Sequence, residues 1–176
     1  NLRRYANKVF DGLATDGKGT MGWCHGFKLH FICNDRGEII MFCLTGANVD
    51  DRDPKVWSIL GKRIYGKLFA DRGYISPSLF EALFADGVNL VTGIRSNMKN
   101  KLMPLWDKIM LRKRYIIECI NHLLKDKGNL VHSRHGSVNN FLMNLIAAIS
   151  AYCFFDNKPE AIKGYCVEDN KQLTLF

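Results

Sequence analysis

Between residues 27 and 33 apolar and polar side chains alternate: Phe27, Leu29, Phe31 and Cys33 share one face, Lys28 and His30 the other. A period of two marks a strand with one buried face. "NDRG" (34–37) supplies turn residues, and "EIIMFCLT" returns as a more fully buried strand. Residues 22–46 are therefore predicted to form a β-hairpin.

The pattern then changes period. Asp50 or Asp51 is placed to cap a helix that has Pro54 in its first turn and Val56, Ile59, Leu60 and Ile64 on its buried face. "GKLFAD" (66–71) reads as a short apolar strand ending in an acid. "SPSLFEALFADG" reads as a helix with Ser76 as N-cap, Pro77 at its first position and Gly87 as the stop. "VNLVTGI" (88–94) is another strand. One helix is expected from about Asp107 to Lys125 and a last one over 138–155. Residues 1–22, basic and then Gly-rich, show no sustained period and are expected to be a loop or arm.

The order hairpin, helix, strand, helix, strand, helix, helix implies an α/β protein: a mixed sheet with helices on both faces. Residues 1–157 form the expected single domain, and 158–176 a polar, peripheral tail. The chain opens on Asn1, with no capping or turn signal, and is read as starting inside a larger protein.

Composition narrows the partners. Lys and Arg number 25 against 17 Asp and Glu, a net charge of +8, which favours a polyanion: nucleic acid first, an anionic membrane surface second. No apolar run reaches the roughly 18–20 residues of a membrane span. The most apolar segment, "FLMNLIAAISAYCFF" (141–155), is short, is broken by Asn144 and Ser150, and reads as a buried helix. The cysteines at 24, 33, 43, 119, 153 and 166 come no closer than 33 − 24 = 9 positions. That spacing excludes paired zinc or redox motifs and suits reduced core cysteines in a cytosolic protein.

Several local patterns compete as chemistry. "GLATDGKGT" (12–20) nearly spells a phosphate-binding loop, but Gly19 stands where the hydroxyl belongs, and no strand precedes or helix follows it. His132 and His135 in "HSRHGS" are two ligands short of a structural zinc site; with Arg134 they suit hydrogen bonds to backbone or phosphate. Trp23, Trp57 and Trp106 read as packing residues. Asp71, in "FADRGYIS", stands at the carboxyl end of a strand, where α/β sheets hold ligands; it could equally cap its turn or pair with Arg72. In "LRKRYIIECINHLLKDK" (111–127), Arg114, Glu118, Asn121 and Lys125 fall in one polar stripe, opposite Ile109, Ile116, Ile117, Ile120 and Leu124. An Arg114–Glu118 pair, or a carboxylate aimed into a cleft among phosphate-binding cations, would each explain that stripe.

Taken together, "GKGTMGWCHGFKLHFICNDRGEI", "TGANVDDRD", "KLFADRGYIS", "NMKN", "LRKRYIIECINHLLK" and "HSRHGSVNNFLMNLIAAISAYCF" resemble the DDE transposases of bacterial insertion sequences, in particular the insertion sequence 982 group, over about residues 1–159. The resemblance implies a ribonuclease-H-like fold and Mg²⁺-dependent (or Mn²⁺-dependent) cleavage and strand transfer of DNA. Three carboxylates on separate elements would gather two metal ions. By motif match Asp71 is the second carboxylate and Glu118 the third, 118 − 71 = 47 positions apart. Arg114 and Lys125 match cations flanking the Glu, and with Arg134 they are the expected DNA contacts. Leu111 departs from the tyrosine that related transposases carry there.

The first Asp of the family falls on a strand that would precede Asn1, and none of Asp11, Asp16, Asp50, Asp51 or Asp53 is assigned to replace it. The resemblance further implies double-stranded DNA as partner (transposon ends and target), a homo-oligomer in the active complex, no membrane, and a cytoplasmic, nucleoid-associated protein. Two alternatives stand beside the enzyme: a truncated copy that binds DNA without cutting it, and a structure-specific nuclease on the same fold.

Overall fold

The computed structural model describes residues 8–19, 22–99, 102–130 and 135–161. Its first element is one that the hydrophobic pattern does not announce. Thr15–Gly19 forms strand β1, where a loop was expected, and pairs antiparallel with the first part of β2 (Gly22–Cys33), Thr15 opposite Gly26 and Lys18 opposite Trp23. A glycine-rich run carries no apolar period, so nothing in it marks a buried face. Its contribution is room: a Cβ on Gly17 would overlap the carbonyl oxygen of Ala47. Lys18 thus lies inside a strand with another strand after it, which removes the phosphate-loop reading.

The hairpin forms as the alternation requires. β3 (Ile39–Gly46) returns along Phe27–Cys33, and the Asn34 side chain closes the turn by accepting from the backbone N–H groups of Arg36 and Glu38. Helix α1 (Pro54–Leu60) follows. Its N-cap is Asp53, which accepts from the Lys55 N–H, and not Asp50 or Asp51. Pro54 decides this, because a proline at the first helical position makes the preceding residue the cap. Val56 and Leu60 pack with Ile32 and Cys43 of the hairpin. Ile59, expected on that face, is 42% exposed, since so short a helix buries only a narrow stripe.

β4 (Gly66–Ala70), α2 (Pro77–Ala85) and β5 (Val88–Thr92) form a β-α-β unit with parallel strands, Gly66 opposite Val88 and Ala70 opposite Thr92. Pro77 opens α2 and Gly87, at φ 79°, ends it, as the sequence predicts. The Ser76 hydroxyl makes no cap bond and pairs instead with Ser78 Oγ at 3.0 Å.

The single helix expected over 107–125 is two: α3 (Leu105–Lys113) and α4 (Ile116–Asp126). Between them the backbone tightens, and the Ile117 N–H reaches the Arg114 carbonyl at 3.1 Å, an i to i+3 bond. Asp107, in the first turn of α3 and almost wholly buried, accepts from Lys67 Nζ of β4 at 2.8 and 3.1 Å. That ion pair ties α3 to β4. The last helix, α5 (Val138–Cys153), begins at Ser137, whose hydroxyl accepts from the Asn140 N–H.

Helices cover both faces of the hairpin. Ile116, Ile120 and Leu124 of α4 pack with Leu145, Ile149 and Tyr152 of α5 against Leu29, Phe31 and Leu44, while α1 covers the opposite face. Helix α5 is not buried all round, since Met143 and Ile146 are 65% and 50% exposed. The Tyr152 hydroxyl donates to the Gly37 carbonyl at 2.6 Å, and the Ala161 N–H donates to the Asp35 carbonyl at 2.7 Å. The chain therefore stays docked through buried Ala161.

Among the described residues the strands do not make the one mixed sheet that was expected. They form a three-stranded antiparallel sheet, β1-β2-β3, and a separate two-stranded parallel sheet, β4-β5. Over Phe27–Cys33, β2 is paired only with β3, and β4 is paired only with β5, among the described residues. A groove of about 320 Å³ runs between them, with Ile32–Asp35 on one wall and Lys67–Phe69 on the other. Ile32 and Leu68 still share a hydrophobic cluster, so the two sheets meet through side chains without a ladder.

Candidate active site

Asp71 follows β4 directly. One carboxylate oxygen accepts the Gly73 N–H and so caps the 3₁₀ turn Arg72–Tyr74; the other lies 3.7 Å from an Arg114 guanidinium nitrogen. The tight junction between α3 and α4 is what turns Arg114 toward the strand end. An open cleft of about 620 Å³ lies here, bounded by Lys28 and Phe31 of β2, by Asp50, Asp51 and Arg52 after β3, by Asp71 and Tyr74, and by Arg95, Arg114 and Ile117.

The acids of the β3–α1 loop are already held. Asp51 accepts from Lys28 Nζ, lies 3.3 Å from His30 Nδ1, and is pushed below the ordinary carboxylate range by the His30 hydrogen bond first and the Lys28 charge next. His30 is buried, and its Nε2 meets Thr45 Oγ1 at 2.8 Å. Asp50 takes two hydrogen bonds from the Arg52 side chain, at 2.9 and 2.7 Å, and is held well below its usual value by them. Trp57 Nε1 donates to the Asp51 carbonyl at 2.8 Å, which joins this loop to α1. Burial, and secondarily the charges of Asp51 and Asp71, push the Tyr74 hydroxyl up to about 12.

Of the residues expected at the site, Asp71 and Arg114 come together. Glu118 is exposed on α4, directly after cleft-lining Ile117, but does not itself line the cleft, and it has no ion-pair partner among the described residues. The partner of Arg114 is Asp71 and not Glu118, because the tightened turn shifts the helical phase between positions 114 and 118. Lys125 is exposed in the last turn of α4. Arg134 and His132 lie outside the described residues. The sequence reading missed Lys28 and the Asp50–Arg52 loop as neighbours of Asp71 in the cleft, and His30 as the buried partner of Asp51. A signal was present: Lys28 and His30 are the polar side of the β2 alternation, and that side meets the loop.

Asp71 and Glu118 are hard oxygen donors of the kind Mg²⁺ and Mn²⁺ take. Their number falls short. Among the described residues no three His, Cys, Asp or Glu side chains are grouped closely enough to hold a metal ion. Asp71 is instead matched by a cation.

Residues 1–138 match the family model of a transposase DDE domain. A search of curated proteins and a search of solved structures each found no match. The family match spans well over half of the 176 residues, and the chain belongs to the family of transposase DDE domains. Its role is accordingly in transposition, its class is that of DNA-cleaving and DNA-transferring enzymes, and its substrate class is DNA. No described helix is long and apolar enough to cross a membrane.

Proposed function

We propose that the chain is the catalytic part of an insertion-sequence transposase of the 982 group, which cuts element ends and joins them to target DNA in a divalent-metal-dependent reaction. The observation that carries this reading is Asp71 at the carboxyl end of β4, in an open cleft bordered by Lys28, Arg52, Arg95 and Arg114. A carboxylate among cations suits a phosphodiester: the cations hold the backbone, and the acid marks the reacting side. Asp71 and Glu118 are the proposed metal carboxylates; Arg114, Lys125 and Arg134 are the proposed phosphate contacts. A bound divalent ion would supply charge stabilisation at the phosphate being cut. Ahead of any chemistry, Arg114 occupies the position of a counter-cation to Asp71 and keeps the acid from repelling incoming DNA.

The fold reading is ribonuclease-H-like, and the groove between β2 and β4 supports it. One extended strand laid in that groove would join the two sheets into a single mixed sheet. An oligomeric complex, with one catalytic centre per DNA end, and a cytoplasmic, nucleoid-associated setting complete the reading.

The test is a strand-nicking and joining assay on element-end duplex with Mg²⁺ or Mn²⁺, using the product of the whole reading frame. Metal-dependent nicking that disappears in Asp71→Asn is the expected result. Nicking that persists in Asp71→Asn would overturn the assignment.

A further inference from the structure

The first half of β2 does more than extend a strand. Residues Gly22–His25 are exposed without interruption, and the opposing Lys18 of β1 is exposed as well. Trp23, directly opposite Lys18, is 76% exposed, although tryptophan is among the side chains that burial stabilises most. The packing of the ribbon is slight: Gly17 is buried against Ala47, while Lys18 and Gly22–His25 are exposed. A two-stranded ribbon is only marginally stable by itself, so an exposed indole there is poorly explained by folding. Trp23 was expected to be a packing residue. It is not one.

The position of the ribbon is informative. The end of β2 and the turn after it, Cys33–Asp35, face Lys67 and Leu68 near the start of β4, while Lys28 and Phe31 share the Asp71 cleft at the end of β4. The two strands thus run in opposite senses along the groove. Followed backwards from Lys28, β2 leaves the cleft at the Asp71 end, and its continuation is the Gly22–Gly26 ribbon. The ribbon that carries Trp23 and Lys18 therefore extends away from the Asp71 end of the cleft. The Asp16–His25 hydrogen bond at 2.8 Å and the Cys24 Sγ–Gly17 O contact stiffen the ribbon behind them.

We infer that the β1–β2 ribbon is a DNA-contacting element that extends from the Asp71 end of the cleft, with Trp23 stacking on a base and Lys18 meeting the adjacent phosphate. This rests on the transposase reading and goes beyond it by naming the ribbon and the mode of contact. DNA fits this surface better than a protein partner does. The ribbon is continuous with a cleft bordered by cations, in a chain of charge +8, and a flat indole beside an ammonium matches a base beside its phosphate.

The test is a fluorescence-anisotropy titration, over several salt concentrations, of a labelled duplex with a short single-stranded overhang. Four proteins are compared: the unmodified chain, Trp23→Ala, Trp23→Phe and Lys18→Ala. Trp23→Ala is expected to lose about tenfold in affinity with an unchanged salt slope, since no charge is lost. Trp23→Phe keeps a stacking face and should recover most of the loss. Lys18→Ala should lower the salt slope by about one. Circular dichroism identical to that of the unmodified chain shows that the variants are folded, as expected for so exposed a residue. If the unmodified chain binds DNA and Trp23→Ala binds equally well, the ribbon inference fails while the transposase reading stands. If the unmodified chain binds no DNA, both fail.

Discussion

The Arg114 guanidinium lies 3.7 Å from an Asp71 carboxylate oxygen, bridging the α3–α4 junction and the end of β4. Both side chains are more than a third exposed or close to it, so the pair contributes at most about 1 kcal/mol to stability. Its importance is positional: a fixed cation sits where a divalent ion would otherwise compete for the same oxygen.

Removing that cation gives the first prediction. Arg114→Ala should bind Mn²⁺ more tightly than the unmodified chain, Asp71→Asn more weakly, and the two changes together should resemble Asp71→Asn. Water-proton relaxation during a Mn²⁺ titration reads all three. The same Arg114→Ala protein should bind DNA more weakly with a shallower salt slope. Tighter metal binding that survives in the double variant would place the ion away from Asp71.

Much of this arrangement was legible in the sequence, and its failures have a common form. The β2–β3 hairpin, the Pro77–Gly87 limits of α2 and the carboxyl-end position of Asp71 follow from period, caps and glycine, all of which act locally. The partner of Arg114 was not legible, because one tightened turn at 114–115 rotates everything beyond it. β1 was missed because glycine backbone, not side-chain burial, makes its pairing, and the division into two sheets because ladder partners are set by tertiary packing.

Glu118 is exposed and unpaired among the described residues, so Glu118→Gln should leave thermal stability within about 0.5 kcal/mol of the parent. In the product of the whole reading frame it should nevertheless abolish metal-dependent strand cleavage and spare DNA binding. Lys125→Ala should do the reverse, weakening DNA binding with cleavage retained at high protein concentration. A Gln variant that cuts DNA normally would remove Glu118 from the catalytic set.

Ile120 is fully buried where α4 meets α5 and the hairpin, and Ile120→Ala should cost about 2–5 kcal/mol. Tyr152→Phe keeps the ring and deletes the hydrogen bond to Gly37, so a smaller loss of about 1–3 kcal/mol is expected. Urea midpoints compared at constant m-value check the order of the two losses.

The alkaline limit of stability has a defined sign. Burial raises the hydroxyls of Tyr74 and Tyr152 from 10.0 to about 12. The unfolded chain then releases these protons before the folded chain does. Their contribution to stability is complete below pH 10 and is lost as pH rises through about 12. Denaturation midpoints should fall across that window, and phenolate absorbance should show Tyr74 and Tyr152 titrating late.

The groove between β2 and β4 also bears on how the polypeptide behaves in a test tube. Among the described residues, each wall presents backbone N–H and C=O groups with no strand alongside them, and such an edge is a template for any extended peptide that reaches it. A chain with both edges open should be troublesome at high concentration, drawing in segments of its neighbours and precipitating. A short synthetic β-strand peptide added during refolding should keep it in solution.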